Sequence, residues 1–470
     1  MLAAAPLGSV QARQAPDSFA DLAERLLPAV VNISTTQVVE GQPGIEVPMV
    51  PPGSPFEEFF REFFERGQPR QPRQRRATSL GSGFIVDAAG FIVTNNHVIQ
   101  DADEISVILH DETRLAAEVV GRDPKTDIAV LKVDPPASLA AVTFGDSDVS
   151  RVGDWVLAIG NPFGFGGSVT AGIISARSRD IQAGPYDDFL QTDASINRGN
   201  SGGPMFDLDG KVIGINTAIF SPSGGSVGIG FAIPANVAEP VIRQLIEHGE
   251  VRRGWLGVRI QTVTEELAES FGLDRARGAL VADVMSDGPA AEAGLEKGDV
   301  ILRFDGKPVG EMRQLPRIVA DTEVGRTVNV VVWRDGREVS VEVTVAELEE
   351  DELRVSRRPV PPGQADPTSL TVERLGITVA EIDDSLREQF ELSDMTEGVI
   401  VTEVQSNSVA GERGIRRGDV IVEVGQQEVR TPEDVVTRVE EAEADGRASV
   451  LMLVEGVGGP RFVAVPIDQR

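Results

Sequence analysis

The stretch GFIVDAAGFIVTNNHVI, residues 83–99, contains two short apolar runs separated by Asp87-Ala88-Ala89-Gly90. Similar runs, each bounded by Gly, Asp or Asn, continue to residue 234: DIAVLKV (127–133), WVLAIG (155–160), VTAGIIS (169–175), KVIGINTAI (211–219) and GIGFAIP (228–234). Because no long helical pattern separates them, these runs predict the strands of β-barrels or a β-sandwich and argue against alternating strand–helix units.

Helical patterns flank this β-rich region. Residues 19–33 read as a short helix that runs into a strand. The apolar residues of 236–248 share one helical face, and Gly249 follows as a stop signal. We therefore predict a helix over residues 236–248 that closes the domain.

The rest of the chain contains an internal repeat. GALVADVMSDGPAAEAGLEKGDVILRFDGKPV, starting at Gly278, aligns without gaps to GVIVTEVQSNSVAGERGIRRGDVIVEVGQQEV, starting at Gly398. Two copies are too few for a solenoid, so each is expected to fold as a separate domain. An acidic and then Pro-rich stretch, residues 347–367, lies between the copies and predicts a linker.

Composition excludes several functions. The 470 residues suffice for about three domains, and the net charge of −30 disfavours nucleic-acid binding. The sequence has no apolar run long enough for a membrane span. It has no Cys, which excludes disulfides, thiolate nucleophiles and Cys-based zinc sites, and leaves the redox compartment open. We expect no metal and no cofactor.

Two N-terminal segments stand apart. Residues 1–12 are small and apolar and end in Val10-Gln11-Ala12, so they are either the tail of a truncated export signal or a disordered N-terminus. Residues 41–78 have the Pro-rich composition of a long loop. Inside this loop five Phe residues fall on one face of a predicted helix: Phe56, Phe59, Phe60, Phe63 and Phe64.

The hexapeptide GNSGGP, residues 199–204, is the strongest chemical signal. A nucleophilic Ser needs a tight turn that exposes its Oγ and directs consecutive backbone N–H groups at the developing oxyanion, and flanking glycines permit such a turn. We therefore take Ser201 as a candidate nucleophile. The alternative is a Gly-rich hairpin turn.

Such a Ser requires a base, and His97 ends a strong predicted strand, where active-site groups are commonly presented. His110, in a polar turn, and His248, at a helix C-terminus, are better explained structurally. The third group should be a carboxylate buried beside the imidazole, and Asp127 opens an apolar strand. An ordinary strand-edge cap is the alternative for Asp127.

The chain order His97, Asp127, Ser201 on a β-rich domain is that of the chymotrypsin type. With TNNHV, KTDIAVLK, IGNPFG, QTDASINRGNSGGP and GIGFAIP, residues 81–233 resemble the HtrA (Deg) family of serine proteases, and the repeats resemble its PDZ domains. The two copies are similar to the periplasmic DegP/DegQ-like type.

The resemblance implies a mainly β fold, with a chymotrypsin-like double β-barrel followed by two α+β PDZ domains. The expected boundaries are a leader remnant or flexible N-terminus at 1–25, a protease domain at 26–249 with a regulatory loop insertion at 41–78, PDZ domain 1 at 250–346, a linker at 347–372 and PDZ domain 2 at 373–470.

The resemblance also implies roles near the active site. Gly199, Asn200 and Ser201 would form the oxyanion hole and bind substrate backbone, the hole itself using the N–H groups of Gly199 and Ser201. Arg179 resembles the family's activation-loop arginine if this loop is one residue shorter. A specificity pocket that takes medium aliphatic side chains is implied for three residues: Ile196, Ile219 and Phe220.

Each PDZ domain would bind an extended C-terminus by strand addition, with its carboxylate held by backbone N–H groups. Trp255-Leu256-Gly257-Val258 resembles the carboxylate loop of the first copy, and Leu375-Gly376-Ile377 that of the second. A strand with a Gly bulge is the alternative, mainly for the second copy.

Together these features predict an ATP-independent serine endopeptidase that degrades unfolded or misfolded periplasmic proteins, since the sequence has no nucleotide-binding motif. The expected partners are unfolded protein substrates, apolar C-terminal peptides at the PDZ domains and other copies of the chain, as a homo-trimer or larger multiples of it. The alternative is a non-catalytic chaperone or scaffold that binds unfolded chains.

Overall fold

The computed structural model describes residues 16–39, 75–161, 167–181, 184, 186–221, 225–348, 369–393 and 395–467. The possible export signal, the five-Phe helix and most of the predicted linker lie outside these residues. The chain divides into two compact units, Met1–Val251 and Arg252–Arg470.

The first unit contains two closed six-stranded barrels, as the family resemblance predicts, and not the β-sandwich that the strand pattern left open. The strands of barrel one pair in the order β1-β2-β3-β6-β5-β4, and β1 closes the barrel on β4. Their bounds are β1 Val30–Val39, β2 Arg75–Asp87, β3 Phe91–Thr94, β4 Glu104–Ile108, β5 Arg114–Asp123 and β6 Ile128–Val133.

Barrel two pairs in the order β10-β11-β12-β9-β8-β7, and β7 and β10 close it. Its strands are β7 Trp155–Gly160, β8 Ser168–Arg179, β9 Phe189–Thr192, β10 Pro204–Phe206, β11 Val212–Ile219 and β12 Gly230–Pro234. The described residues of this unit also form the short helices α1 Ala20–Leu26 and α2 Asn96–Ile99, a 3-10 turn Leu27–Ala29 and the longer helix α3 Ala235–His248.

Strand β6 shows why its sequence is apolar at nearly every position. Ile128 and Val130 face a cluster that also contains residues of barrel two and of α3, whereas Ala129 and Leu131 face the interior of barrel one. Side chains alternate between the two faces of a strand, so a strand covered on both faces needs apolar residues throughout. The resulting core fixes the position of β6 relative to both barrels.

Helix α3 covers this shared core. Val241, Ile242 and Leu245 are buried in the cluster with Ile128 and Val130. The helix ends at Gly249, whose φ of 79° is left-handed and whose N–H donates to the Leu245 carbonyl. The helix and its glycine stop are thus confirmed.

In the described part of the second unit, each repeat copy forms one main sheet, and the five strands of the first sheet recur in the same order in the second, which has one strand more, β21. The first sheet runs β14-β15-β16-β18-β19 with β17 on β16, beside a β13-β20 pair. Its elements are β13 Gly254–Trp255, β14 Val258–Thr262, α4 Glu265–Ser270, β15 Ala279–Val284, α5 Pro289–Glu292, β16 Val300–Phe304, β17 Lys307–Pro308, α6 Gln314–Ala320, β18 Thr327–Arg334, β19 Arg337–Thr344 and β20 Ala346–Glu347.

The second sheet runs β21-β22-β23-β24-β26-β27 with β25 on β24. Its elements are β21 Ser369–Val372, β22 Ile377–Glu381, α7 Asp384–Phe390, β23 Val399–Val404, α8 Val409–Glu412, β24 Val420–Val424, β25 Gln427–Glu428, α9 Pro432–Ala444, β26 Ser449–Gly456 and β27 Gly459–Pro466. Strand β21, which falls in the range predicted as linker, pairs with β22.

A buried Asp–Arg pair recurs in both copies. Asp299, 1% exposed, accepts from Arg334 at 2.6 Å, and Asp419, 8% exposed, accepts from Arg461 at 2.7 Å. Each carboxylate also accepts a backbone N–H three residues earlier. The bond to Asp299 raises the pKa of the Arg334 guanidinium. The Asp of the repeated Gly-Asp-Val-Ile sequence therefore has a structural role in each sheet.

Candidate active site

The neighbouring strands β3 and β6 bring His97 and Asp127 together. His97 lies in α2, directly after β3, and Asp127 immediately precedes β6. The two strands pair antiparallel, with Thr94 opposite Ala129. Both residues therefore lie at the same end of barrel one.

The carboxylate of Asp127 holds the histidine at two points. Its Oδ2 lies 2.7 Å from His97 Nδ1, and its Oδ1 accepts the His97 backbone N–H at 2.9 Å. The backbone of Asp127 has a left-handed φ of 57°, which Asp tolerates better than most residues. Its carbonyl accepts from the Asn95 side chain at 2.8 Å and from the Asn96 N–H at 3.1 Å. These bonds fix the imidazole plane.

Both side chains remain accessible. The His97 side chain is 42% exposed and that of Asp127 30% exposed. Asp127 is thus less buried than the sequence argument requires of a triad carboxylate, because it lies before the strand rather than within it. Its pairing with His97 is nevertheless direct. His110 is exposed in a turn, and His248 ends helix α3, as predicted.

Barrel two supplies Ser201 on a tight turn before β10. Gly199 and Gly202 have φ values of 100° and 85°, which only glycine adopts readily. A Cβ on Gly202 would lie 2.2 Å from the Ser82 carbonyl oxygen, so no larger residue fits. Within the turn the Asn200 N–H donates to the Asn197 carbonyl at 3.0 Å. The hexapeptide therefore forms a tight turn that requires glycine at residues 199 and 202, directly before β10.

Thr217, on β11, connects the two halves of the site. Its Oγ1 donates to Asp127 Oδ2 at 2.7 Å, and its carbonyl accepts from Ser201 Oγ at 3.3 Å. Sequence reasoning missed Thr217. The available signal was a polar residue within the apolar run KVIGINTAI.

Ser82, on β2, is a second residue that sequence reasoning missed. It is fully buried, and its Oγ donates to the Gly199 carbonyl at 2.6 Å and accepts the Asn161 N–H at 2.7 Å. Its own N–H donates to the Ser201 carbonyl at 2.9 Å. The sequence signal was a Ser between two glycines, Gly81 and Gly83.

The three residues predicted to form the specificity pocket differ in solvent exposure. Ile196 is 2% exposed and packs with Ile219 in the core of barrel two. Gly230 leaves space for it, since a Cβ there would lie 2.7 Å from Ile196 Cγ1. Phe220, in contrast, is 60% exposed. Arg179 ends β8, and its Nε donates to Gln191 Oε1 at 2.9 Å.

The two segments predicted to be carboxylate loops have matching geometry. Gly257 and Gly376 have φ values of 75° and 67°. Their carbonyls accept from Met285 and Gln405, both at 2.9 Å. Leu256 and Leu375, which precede the glycines, are buried, and their carbonyls accept from the corresponding short helices, at Ala290 and Ala410.

Comparison with known proteins accounts for both units. The trypsin-like peptidase domain family matches residues 81–215, and the PDZ domain family matches residues 254–345 and 365–453. A probable periplasmic serine endoprotease, DegP-like, from Brucella suis biovar 1 is 45% identical over 96% of this chain and 90% of its own length. The chain belongs to the HtrA-type serine proteases.

Other relatives of this HtrA-type protease agree. A probable periplasmic DegP-like serine endoprotease from Rhizobium meliloti is 44% identical over 98% of this chain and 94% of its own length. The solved structure of the HtrA-type protease AlgW with a decapeptide is 46% identical, with a TM-score of 0.58, and covers 71% of this chain and 99% of that one. This HtrA-type protease is accordingly a periplasmic serine endoprotease with two PDZ domains.

Two further properties of the described residues bear on this HtrA-type protease. Among them, no helix is long and apolar enough to cross a membrane. Nor do the described His, Asp and Glu side chains form a cluster that could hold a metal ion.

Proposed function

We propose that His97, Asp127 and Ser201 are the catalytic triad and that the enzyme cleaves unfolded polypeptides without ATP. The observation that carries the assignment is the double contact of Asp127 with His97. This contact keeps the Nδ1 proton of the imidazole on the side of the carboxylate, so Nε2 is free to accept a proton. The hydroxyl of Ser201 donates to the carbonyl of Thr217, and the hydroxyl of Thr217 donates to Asp127.

Acylation then follows from these positions. Ser201 Oγ attacks the substrate carbonyl carbon while its proton passes to His97 Nε2. The imidazolium that forms is stabilised by the Asp127 carboxylate, which stays ionised. When the tetrahedral intermediate collapses, the peptide C–N bond breaks and His97 returns the proton to the leaving amine. Water, activated by the same imidazole, hydrolyses the acyl-enzyme and restores Ser201.

The oxyanion requires two donors in this turn. Since the Asn200 N–H is bonded to Asn197, the donors are the N–H groups of Gly199 and Ser201. The Asn200 carbonyl accepts from Gly203 at 3.0 Å, which orients the peptide plane that carries the Ser201 N–H. Such preorganised donors are worth about 10²–10³-fold in turnover each.

Substrate recognition is proposed for both units. Ile219, partly buried against the buried Ile196, offers an apolar surface without a charge, which fits medium aliphatic side chains before the cleaved bond. The glycine loops at Gly257 and Gly376 fit the capture of apolar C-termini by strand addition. The solved relative AlgW was determined with peptides, which supports peptide binding as a function of this family. We further propose a homo-trimer or larger multiples as the working assembly.

The alternative function, a non-catalytic chaperone, is separated by one experiment. A fluorophosphonate probe should label the wild-type chain stoichiometrically at Ser201 and should not label Ser201→Ala. Wild-type protein should degrade casein, and Ser201→Ala and His97→Ala should lose at least about 10⁴-fold of that activity. Degradation by Ser201→Ala at near wild-type rate would contradict the assignment.

A further inference from the structure

Ser82 touches the nucleophile turn from the other barrel. It lies on β2, and its hydroxyl and backbone N–H bind the carbonyls of Gly199 and Ser201, the residues on either side of Asn200. The side chain is fully buried, so water does not compete for either bond. The turn is thus anchored to barrel one at two residues, Gly199 and Ser201.

We infer that Ser82 is a positioning residue for the oxyanion hole. The inference rests on the proposed roles of Ser201 and Gly199. The peptide between Gly199 and Asn200 is held at both ends, its carbonyl by the Ser82 hydroxyl and its N–H by the Asn197 carbonyl. The N–H of Gly199 lies on the preceding peptide, which joins this one at Gly199. Glycine has little intrinsic resistance to rotation, so holding the Gly199–Asn200 peptide limits the directions that this N–H can take.

The Ser82 hydroxyl is itself held in one orientation. It accepts the N–H of Asn161, at 2.7 Å, which leaves its proton for the Gly199 carbonyl. The Ser82 carbonyl accepts from Thr94 Oγ1 at 2.7 Å, and Thr94 ends the strand that precedes His97. One buried residue therefore links the strand of the base to the turn of the nucleophile.

Glycines lie on both sides of Ser82 in β2 and also opposite it in the turn. A Cβ on Gly81 would lie 2.5 Å from Val98, and a Cβ on Gly83 would lie 2.8 Å from the Val93 carbonyl oxygen. On the other side, a Cβ on Gly203 would lie 3.2 Å from the Ser82 Cβ. Ser82 is thus packed directly against the Gly-Gly of the turn, and Gly81 and Gly83 let its strand lie close against the rest of barrel one.

The test compares Ser82→Ala with Ser147→Ala, using the full chain and a chromogenic peptide substrate. Ser147 is equally buried, and its Oγ accepts the N–H of Asn236, in the first turn of helix α3, at 3.1 Å. For Ser82→Ala we expect kcat to fall about tenfold to a hundredfold, less than the loss of an oxyanion donor, with KM within about twofold. A peptide aldehyde, whose tetrahedral adduct places an oxyanion in the hole, should bind more weakly by a similar factor.

The Ser147→Ala control should keep kcat within about twofold even if its melting temperature falls. If Ser82→Ala keeps wild-type kcat, or loses no more than Ser147→Ala, the inference is wrong. If Ser82→Ala does not fold, Thr94→Val is the substitute, because it removes the bond to the Ser82 carbonyl without changing side-chain shape. A fall in the kcat of Thr94→Val no larger than that of Ser147→Ala would then overturn the inference. Activity that survives in Ser201→Ala would instead refute the triad, whichever result Ser82 gives.

Discussion

Replacing Asp127 by Asn tests the centre of the site, because the two side chains share a shape but the amide has a single acceptor oxygen. In the native site both carboxylate oxygens accept from His97, Oδ1 from its backbone N–H at 2.9 Å and Oδ2 from Nδ1 at 2.7 Å. An amide can satisfy one of these two donors. The other donor, either the His97 backbone N–H or the imidazole Nδ1–H, is left without an acceptor.

If the amide oxygen accepts the backbone N–H, its NH₂ group faces Nδ1 and forces the imidazole proton onto Nε2, which can then no longer receive the Ser201 proton. The reverse orientation loses the backbone bond at a cost of about 1–3 kcal/mol. At the upper value, the productive orientation is present in about one molecule in 10².

Even in the productive orientation the imidazolium is less well stabilised, because a bond to a neutral amide replaces the charge-assisted bond to the carboxylate, at a similar cost of up to about 3 kcal/mol. The two factors multiply to a loss of about 10⁴-fold in kcat/KM, the size of effect known for the wrong tautomer in triads of the chymotrypsin type. Steady-state kinetics on a peptide substrate, with thermal unfolding beside it, measures this loss.

Asp134→Asn is the matched control. It changes the net charge equally and lies at the other end of the same strand, with a fully exposed side chain. We expect its kcat/KM to stay within about twofold of wild type. A folded Asp127→Asn enzyme that keeps more than about one tenth of wild-type kcat/KM would refute the reasoning.

Cleavage should follow Val, Ile, Ala or similar residues because Ile219 and the buried Ile196 behind it carry no charge. Mapping of the cut sites by mass spectrometry would contradict this if most cuts follow Lys or Arg. Arg334→Met should destabilise the second unit by about 3 kcal/mol in denaturant unfolding, because it leaves the buried Asp299 without its cation. The control Arg303→Met breaks an exposed pair and should cost less than about 1 kcal/mol. Equal losses of unfolding free energy in the two variants would contradict the argument. A peptide with an apolar C-terminus should raise the cleavage rate of a second substrate, and Arg179→Ala should reduce that rise without abolishing basal activity; an unchanged peptide response would exclude Arg179 from the signal.

The candidate triad could be predicted because its chemistry needs uncommon residue types. Three histidines leave few choices for the base, and a Ser within GNSGGP has few structural explanations. The short strands were predictable as well, since alternation along short apolar runs is a local property of the chain. The strand pattern left a barrel or a sandwich open, and the double barrel was implied by the family resemblance. Helix α3 could be predicted from its apolar face and from Gly249, because helical periodicity and a glycine stop are also local properties of the chain.

The supporting residues were not predictable, because their roles depend on contacts between distant strands. Thr217 is 90 residues from Asp127, and Ser82 is 117 residues from Gly199. Ser and Thr are common, and nothing in their local sequence reports which carbonyl or carboxylate will lie opposite.

What the sequence determined by itself is which residues can perform the chemistry and which segments become strands. Only the tertiary structure decided how these residues meet: that Asp127 reaches both donors of His97 from a left-handed backbone position, and that Ile196 is buried while Phe220 is exposed. The physical reason is that composition and periodicity act over a few residues, whereas burial and hydrogen-bond partners are set by the closure of two barrels against each other.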